Sequence, residues 1–318
     1  MSNKVRLVEV GPRDGLQNEA GFIDAATKIR LIERLAAAGL KTIEAGAFVS
    51  PKWVPQMADT ADVLAGLAHS RAVAGVQLPV LVPNMQGYDL AAAAGVNEIS
   101  VFTAASEAFT QRNINATIEE SFARFEPVVK AALAAGIRVR GYVSTVIACP
   151  YAGPVAPHAV ADVTARLLEL GCYEVSLGDT IGVGRPREIK TMLEAVLKVA
   201  PAAQLALHCH DTYGQAVANI RAGLDKGIRV FDVSVGGLGG CPYAPGAGGN
   251  VATEDVLYLL AGEGLQTGVD LAQVVETAWY ISGKLGSGKL GNGKLGRKPT
   301  SKVALALGQT PVCTPYSA

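Results

Sequence analysis

The chain holds four histidines in 318 residues, and two of them share one tripeptide, His208-Cys209-His210. They follow the apolar run Ala203-Gln204-Leu205-Ala206-Leu207, which reads as a buried strand. Side chains two apart on a strand share a face, so both imidazoles point the same way. Two convergent imidazoles are the start of a metal site, with a pair of hydrogen-bonded core histidines as the plain alternative. The surroundings favour the metal. Asp211 comes next, a glycine-rich loop follows the next strand, and Arg13-Asp14 follows the first strand.

Asp14 and Asn250 are the partners that strands one and eight can bring to His208 and His210. Two imidazoles, a carboxylate and an amide make an N/O set without thiolate, which suits Mg²⁺ or Mn²⁺ with open positions. One ligand charge against two leaves a site of about +1 that favours an anionic, chelating substrate. The carboxylate and neighbouring hydroxyl of a hydroxy acid fit that description. Coordination lowers the hydroxyl pKa until a nearby base can remove the proton, and the adjacent carbon-carbon bond can then break. The departing enolate needs a cation that cannot lose its proton. Arg13 is the candidate, and a rim ion pair with Glu44 is its plain alternative. A thiol of unperturbed pKa about 8.5 can then return a proton to the enolate, which points to Cys241. Residues 236–250 hold seven glycines in fifteen, enough backbone freedom for a lid.

These groups need a scaffold that gathers them. Apolar runs predict strands near residues 5–10, 42–45, 78–82, 98–102, 138–145, 174–177, 205–208 and 230–235, with amphipathic helices between them. Residues 25–38 and 117–135 are examples of those helices, the second opening on the capping box Thr117-x-x-Glu120. The first turn, Gly11-Pro12-Arg13-Asp14-Gly15, lacks the dinucleotide fingerprint of an open doubly wound sheet. Eight repeats predict an α/β fold, a closed (β/α)8 TIM barrel over residues 1–265, with an additional C-terminal helical segment in 266–318. Asp14, Glu44, Tyr142, Asp179, His208, His210 and Cys241 then fall on the rim at the carboxyl ends of the strands, where such barrels keep their chemistry. In the last part, residues 271–285 read as a helix. A five-residue Gly-Lys-Leu-Gly repeat from Gly283 reads as a flexible basic spacer, followed by a final segment over residues 300–307.

Composition narrows the partners. With 28 basic and 28 acidic residues, the chain has no broad basic face for nucleic acid. No apolar stretch approaches a membrane span, and the first strand starts by Val5, so the expectation is a soluble, cytoplasmic protein. Five cysteines, an odd number without a C-x-x-C pair, predict reduced thiols. Cys172 and Cys209 read as small core residues.

The motifs resemble those of a known family, the 3-hydroxy-3-methylglutaryl-coenzyme A lyases. They are Glu9-Val-Gly-Pro-Arg-Asp-Gly-Leu-Gln-Asn-Glu19, Phe48-Val-Ser-Pro-Lys-Trp-Val-Pro-Gln-Met57, Arg140-Gly-Tyr-Val-Ser144, Ser176-Leu-Gly-Asp-Thr-Ile-Gly-Val-Gly184, His208-Cys-His-Asp-Thr-Tyr-Gly-Gln215 and Gly237-Leu-Gly-Gly-Cys-Pro-Tyr243. The resemblance covers about residues 4–285. It implies cation-dependent cleavage of an acyl-coenzyme A into acetyl-coenzyme A and acetoacetate, as in leucine degradation and ketone body formation. It also implies Asp14, His208, His210 and Asn250 as metal ligands, Arg13 as substrate-binding and catalytic, and Cys241 as the active-site cysteine. Gln17, Glu44, Tyr142, Asp179, Thr180 and Asn113 join Arg13 around the substrate, with Arg112 and Asn113 near the coenzyme A moiety. A second copy of the chain, in a homodimer, is the protein partner considered.

One departure leaves an alternative open. Glu44-Ala-Gly-Ala47 lacks the hydroxyl side chains expected after that glutamate, so a related C3-branched acyl-coenzyme A is the nearest competing substrate. A condensing enzyme of the isopropylmalate or homocitrate synthase type would need a regulatory extension that 318 residues do not accommodate. A catalytically silent barrel would be expected to have lost a rim residue, and none is missing.

Overall fold

The computed structural model describes residues 3–19, 21–240, 249–286 and 296–308. Eight strands run parallel in one sheet: β1 (Arg6–Glu9), β2 (Gly46–Ala47), β3 (Val80–Leu81), β4 (Glu98–Ala104), β5 (Arg138–Ser144), β6 (Glu174–Asp179), β7 (Leu205–Cys209) and β8 (Val230–Val233). They neighbour one another in chain order from β2 to β8, and β8 pairs with β1. The ring closes beside β1, where the Glu9 amide donates to the Thr42 carbonyl at 3.0 Å and the Glu44 amide donates to the Glu9 carbonyl at 2.8 Å. The expected (β/α)8 barrel is formed.

All eight expected strands are present, and the second differs in position. Its regular pairing lies at Gly46–Ala47, whereas Thr42 and Ile43 make only isolated bridges to Gln77 and Glu9. Proline explains the break. The Ala45 amide donates to the Pro79 carbonyl at 2.9 Å, and Pro79 has no N–H with which to continue the ladder. Ala45, Gly46 and Ala47 are core residues, and a Cβ on Gly46 would meet Thr60 Oγ1 at 2.5 Å. The missing hydroxyls after Glu44 are thus a packing feature of β2.

The helices are α1 (Ala25–Ala37), α2 (Thr60–Leu67), α3 (Met85–Ala93), α4 (Glu107–Ile114), α5 (Ile118–Ala134), α6 (Pro157–Leu170), α7 (Pro186–Val196), α8 (Ala216–Asp225), α9 (Thr253–Gly262), α10 (Leu271–Ser282) and α11 (Lys302–Leu307). The capping box forms as read: Thr117 Oγ1 accepts from the Glu120 amide at 3.0 Å and Glu120 Oε2 accepts from the Thr117 amide at 2.7 Å. Helix α10 packs on α1 and α9 and stops at Ser282, three residues short of expectation, where Gly283 begins the repeat. Helix α11 packs on α9 and α10. Among the described residues, no helix is long and apolar enough to cross a membrane.

Strands β6, β7 and β8 are buried along their whole length, as parallel strands covered on both faces must be. Yet the buried residues include Arg13, Glu44, Arg140, Glu174 and Asp232, charged groups that must find partners to be tolerated. Their pairing leads directly to the rim.

Candidate metal and active site

Strand β1 ends in a π-type turn, Gly11–Gly15, in which the Gly15 amide reaches back to the Val10 carbonyl at 3.1 Å. Such turns are rare and gather at functional positions. A Cβ on Gly15 would stand 2.7 Å from Ser234 Oγ and 2.9 Å from Leu238 Cβ, so glycine lets this turn seat against the end of β8. Arg13 and Asp14 are thereby placed opposite the β7 histidines.

Arg13 is buried and binds three partners. Nε donates to Glu44 Oε2 at 2.7 Å, and Nη1 donates to Asp14 Oδ1 at 2.9 Å and to Gln17 Oε1 at 3.4 Å. The ion pair with Glu44 therefore forms, and it orients the guanidinium while Nη2 takes part in none of these contacts. Gln17 also donates to Asp14 Oδ1 at 3.4 Å. Tyr142 donates its hydroxyl to Glu44 Oε1 at 3.1 Å and accepts from Arg140 Nη1 at 2.8 Å, so both Glu44 oxygens are engaged.

Three of the four expected ligands converge, and the fourth, Asn250, reaches Asp14 through its side-chain NH₂. Ligating atoms of Asp14, His208 and His210 all lie within 4.8 Å of one another. His208 Nε2 is 3.9 Å from Asp14 Oδ2, and the rings of His208 and His210 are 5.2 Å apart. Asn250 pairs with His210 through the backbone, and its Nδ2 donates to Asp14 Oδ2 at 2.8 Å and to the Leu238 carbonyl at 3.3 Å. Among the described residues, Nδ1 of His210 is buried with no hydrogen-bond partner, which leaves a lone pair for an ion. A carboxylate beside two imidazoles, one of which has an unpaired nitrogen, fits a divalent cation.

Charge is graded across the cluster. Burial opposes ionisation of Asp14, but Arg13, His208 and His210 outweigh it and hold the carboxyl down at about 2. His210 is pushed down to about 4 by burial and by the neighbouring His208, so it is a neutral donor at pH 7. Burial also opposes a charge on His208, but its hydrogen bond to Asp232 and the charge of Asp14 prevail and raise its pKa. Asp179 is raised to about 6, chiefly by burial.

The remaining expected residues are distributed less evenly. Asp179 ends β6, where Oδ2 accepts from the Gly184 amide at 2.8 Å while Oδ1 is buried and, among the described residues, has no hydrogen-bond partner. Thr180 accepts from the Thr145 amide at 2.8 Å, bracing a buried β-branched residue held at φ 58°, so its hydroxyl serves the β5 loop. Asn113 is exposed in the last turn of α4, beside Arg112, whose guanidinium lies 4.5 Å from the Tyr151 ring centroid. Cys149, Cys172 and Cys209 are buried. Cys241 and Cys313 lie outside the described residues.

Sequence reasoning assigns no role to the layer beneath the rim. Arg140, Ser176 and Asp232 join His208 from the barrel interior, and Glu9, Glu254 and Thr300 hold the end of β8. The signal available was a charged residue inside an otherwise apolar strand, Val230-Phe-Asp-Val233, where burial demands a partner.

The HMGL-like family model matches residues 4–281. A hydroxymethylglutaryl-CoA lyase of Pseudomonas mevalonii is 58% identical over 283 residues, covering 89% of this chain and 93% of the relative. The crystal structure of the hydroxymethylglutaryl-CoA lyase from Pseudomonas aeruginosa superposes with a TM-score of 0.90 at 54% identity, covering 96% of this chain and 98% of that one. An HMG-CoA lyase from Acinetobacter baumannii, solved with coenzyme A and 3-methylmalate, gives 0.88 at 33% identity and covers 98% of each chain. Barrel, rim cluster and relatives agree: the chain belongs to the hydroxymethylglutaryl-CoA lyase family.

Proposed function

We propose that the protein cleaves 3-hydroxy-3-methylglutaryl-CoA into acetyl-CoA and acetoacetate. The carrying observation is the gathering of Asp14, His208 and His210 within 4.8 Å, with the Arg13 guanidinium 2.9 Å from Asp14. These residues and Asn250 would hold Mg²⁺ or Mn²⁺. Such a cation, when bound, supplies Lewis acidity that makes the substrate hydroxyl easier to deprotonate.

The chain's own groups divide the remaining work. Among the rim carboxylates, Glu44 is saturated by Arg13 and Tyr142, whereas Asp179 keeps one oxygen unpaired. We assign the hydroxyl proton to Asp179, whose Oδ1 is the uncommitted carboxylate oxygen of the two. As the C3 carbonyl forms, the C2–C3 electron pair passes into the thioester enolate. Arg13 stabilises that charge through the guanidinium edge that its protein partners leave unused. Cys241 is assigned the return of a proton to C2, which completes acetyl-CoA. Arg112 and Asn113 are assigned to the coenzyme A moiety.

Incubation of the purified chain with 3-hydroxy-3-methylglutaryl-CoA and Mg²⁺ tests the reading, with acetoacetate release as the expected result. Release no greater than in a metal-free control would remove it. Parallel assays with other C3-branched acyl-CoA esters distinguish the nearest competing substrate.

A further inference from the structure

We infer that Asp232 is the positioning residue of the metal centre: it fixes the His208 ring through Nδ1, so that Nε2 is the nitrogen turned toward Asp14 and the ion. The inference rests on the metal reading of the site above. Asp232 lies on β8 directly opposite His208 on β7, paired in the parallel register, so the two side chains project to the same side of the sheet. Asp232 Oδ2 is 3.3 Å from His208 Nδ1, while His208 Nε2 faces Asp14 Oδ2 at 3.9 Å. The two ring nitrogens are therefore divided between a carboxylate behind and the ligand cluster in front.

Asp232 is itself held by three hydrogen bonds from two residues. Oδ1 accepts from Arg140 Nη2 at 2.7 Å, and Oδ2 accepts from Arg140 Nη1 at 3.2 Å and from the Ser176 hydroxyl at 2.7 Å. Arg140 is fully buried and is also bound by Glu174, which in turn pairs with Arg6 near the opposite end of the barrel. Two arginines and two carboxylates thus alternate through the barrel interior and balance in charge. Glu174 is shared with Arg6, so Asp232 also gives Arg140 the counter-charge it needs. What Asp232 adds is a fixed acceptor for one imidazole nitrogen. Histidine ligands are commonly oriented in this way by a carboxylate, and loss of such a partner costs 10–100-fold in metal affinity.

Asp232→Asn tests the role without changing the size of the side chain. The amide must offer its oxygen to Arg140, which turns its NH₂ toward His208 Nδ1. That inverts the tautomer and places a proton on Nε2. Mn²⁺ binding is measured by electron paramagnetic resonance on the full chain without substrate. A 10–100-fold weaker affinity in D232N than in the wild type is expected. Wild-type binding matched by D232N within about twofold would overturn the inference while leaving the metal reading intact. No Mn²⁺ binding by the wild type would overturn both. Should D232N fail to fold, the Mg²⁺-loaded wild type decides through its ¹⁵N-histidine spectrum, with the His208 signal assigned by its absence in H208Q. A proton on Nδ1 of His208 supports the inference, and a proton on Nε2 overturns it.

Discussion

Thr300 donates its hydroxyl to the carbonyl of Gly236, 64 residues earlier, at 3.0 Å, and its amide donates to the same oxygen at 2.9 Å. The hydroxyl also lies 3.2 Å from the Gly237 carbonyl. From the other side, both oxygens of the buried Glu254 accept from the Gly236 amide at 3.0 Å. The segment before α11 therefore clamps the root of the glycine-rich run. The next carbonyl along, that of Leu238, receives Asn250 Nδ2 at 3.3 Å.

Gly237 is held at φ 66°, and a Cβ there would stand 2.2 Å from Thr300 Oγ1. Gly237→Ala should cost about 1–2 kcal/mol for the left-handed backbone alone, with the clash added. Urea unfolding measures the total. Adding Thr300→Gly to Gly237→Ala should recover the clash but not the backbone strain. A double variant no more stable than Gly237→Ala would show that the two residues do not press on each other.

The barrel and its rim were legible in sequence because they leave periodic and local signals: eight apolar runs, the H-x-H spacing, and the Arg13-Asp14 turn. Thr300 left none, because its partners are 64 residues away and its neighbours read as the end of a spacer. Asp232 and Arg140 were visible as charges within strands, yet their pairing across the barrel depends on strand register, which no local pattern prints. The position of β2 was missed for a similar reason. The proline that interrupts it lies on the neighbouring strand's lead-in, at Pro79.

Glu9 gives the fold a pH dependence. Burial raises its carboxyl from 4.5 to about 7, and burial likewise raises Glu254 to about 8. Below pH 4.5 folded and unfolded chains both carry these protons. Between that pH and about 8 the unfolded chain releases them while the fold retains them, so stability falls as pH rises through this window and then levels. Glu9→Gln keeps an acceptor for the Gly11 and Val235 amides, 2.8 and 2.9 Å away, and removes one of the two protons from the balance. Urea midpoints from pH 5 to 8 should fall less steeply in E9Q than in the wild type. An unchanged slope would dissociate Glu9 from this effect.

Arg13→Lys should be nearly as harmful as Arg13→Ala. A lysine has one ammonium to replace Nε on Glu44 and Nη1 on Asp14, and it retains no planar edge for the enolate. Turnover should fall by about 10²–10³, the span of a lost anion-stabilising donor. A lysine variant near wild-type turnover would refute the assigned role.

Cys241→Ser should lower turnover by about 10²–10⁴, typical of a lost proton donor, while Mn²⁺ affinity stays at the wild-type value. The two measurements together separate proton return from ligand positioning. Unchanged turnover would assign that proton to another group.

Asp179→Asn preserves the shape of the side chain and its acceptor for the Gly184 amide while removing the basic oxygen. Turnover should drop by about 10²–10⁴. The pH profile discriminates further. Burial puts the Asp179 carboxyl at about 6, and a bound cation nearby would lower it, so the acid limb of kcat/KM in the wild type should lie at or below pH 6. Activity rises through that limb as the carboxylate loses its proton and becomes able to accept the one on the substrate hydroxyl. In D179N the limb should disappear along with the rate. A variant that is slow but keeps the limb would move the base to another residue and leave Asp179 a structural cap on the β6 loop.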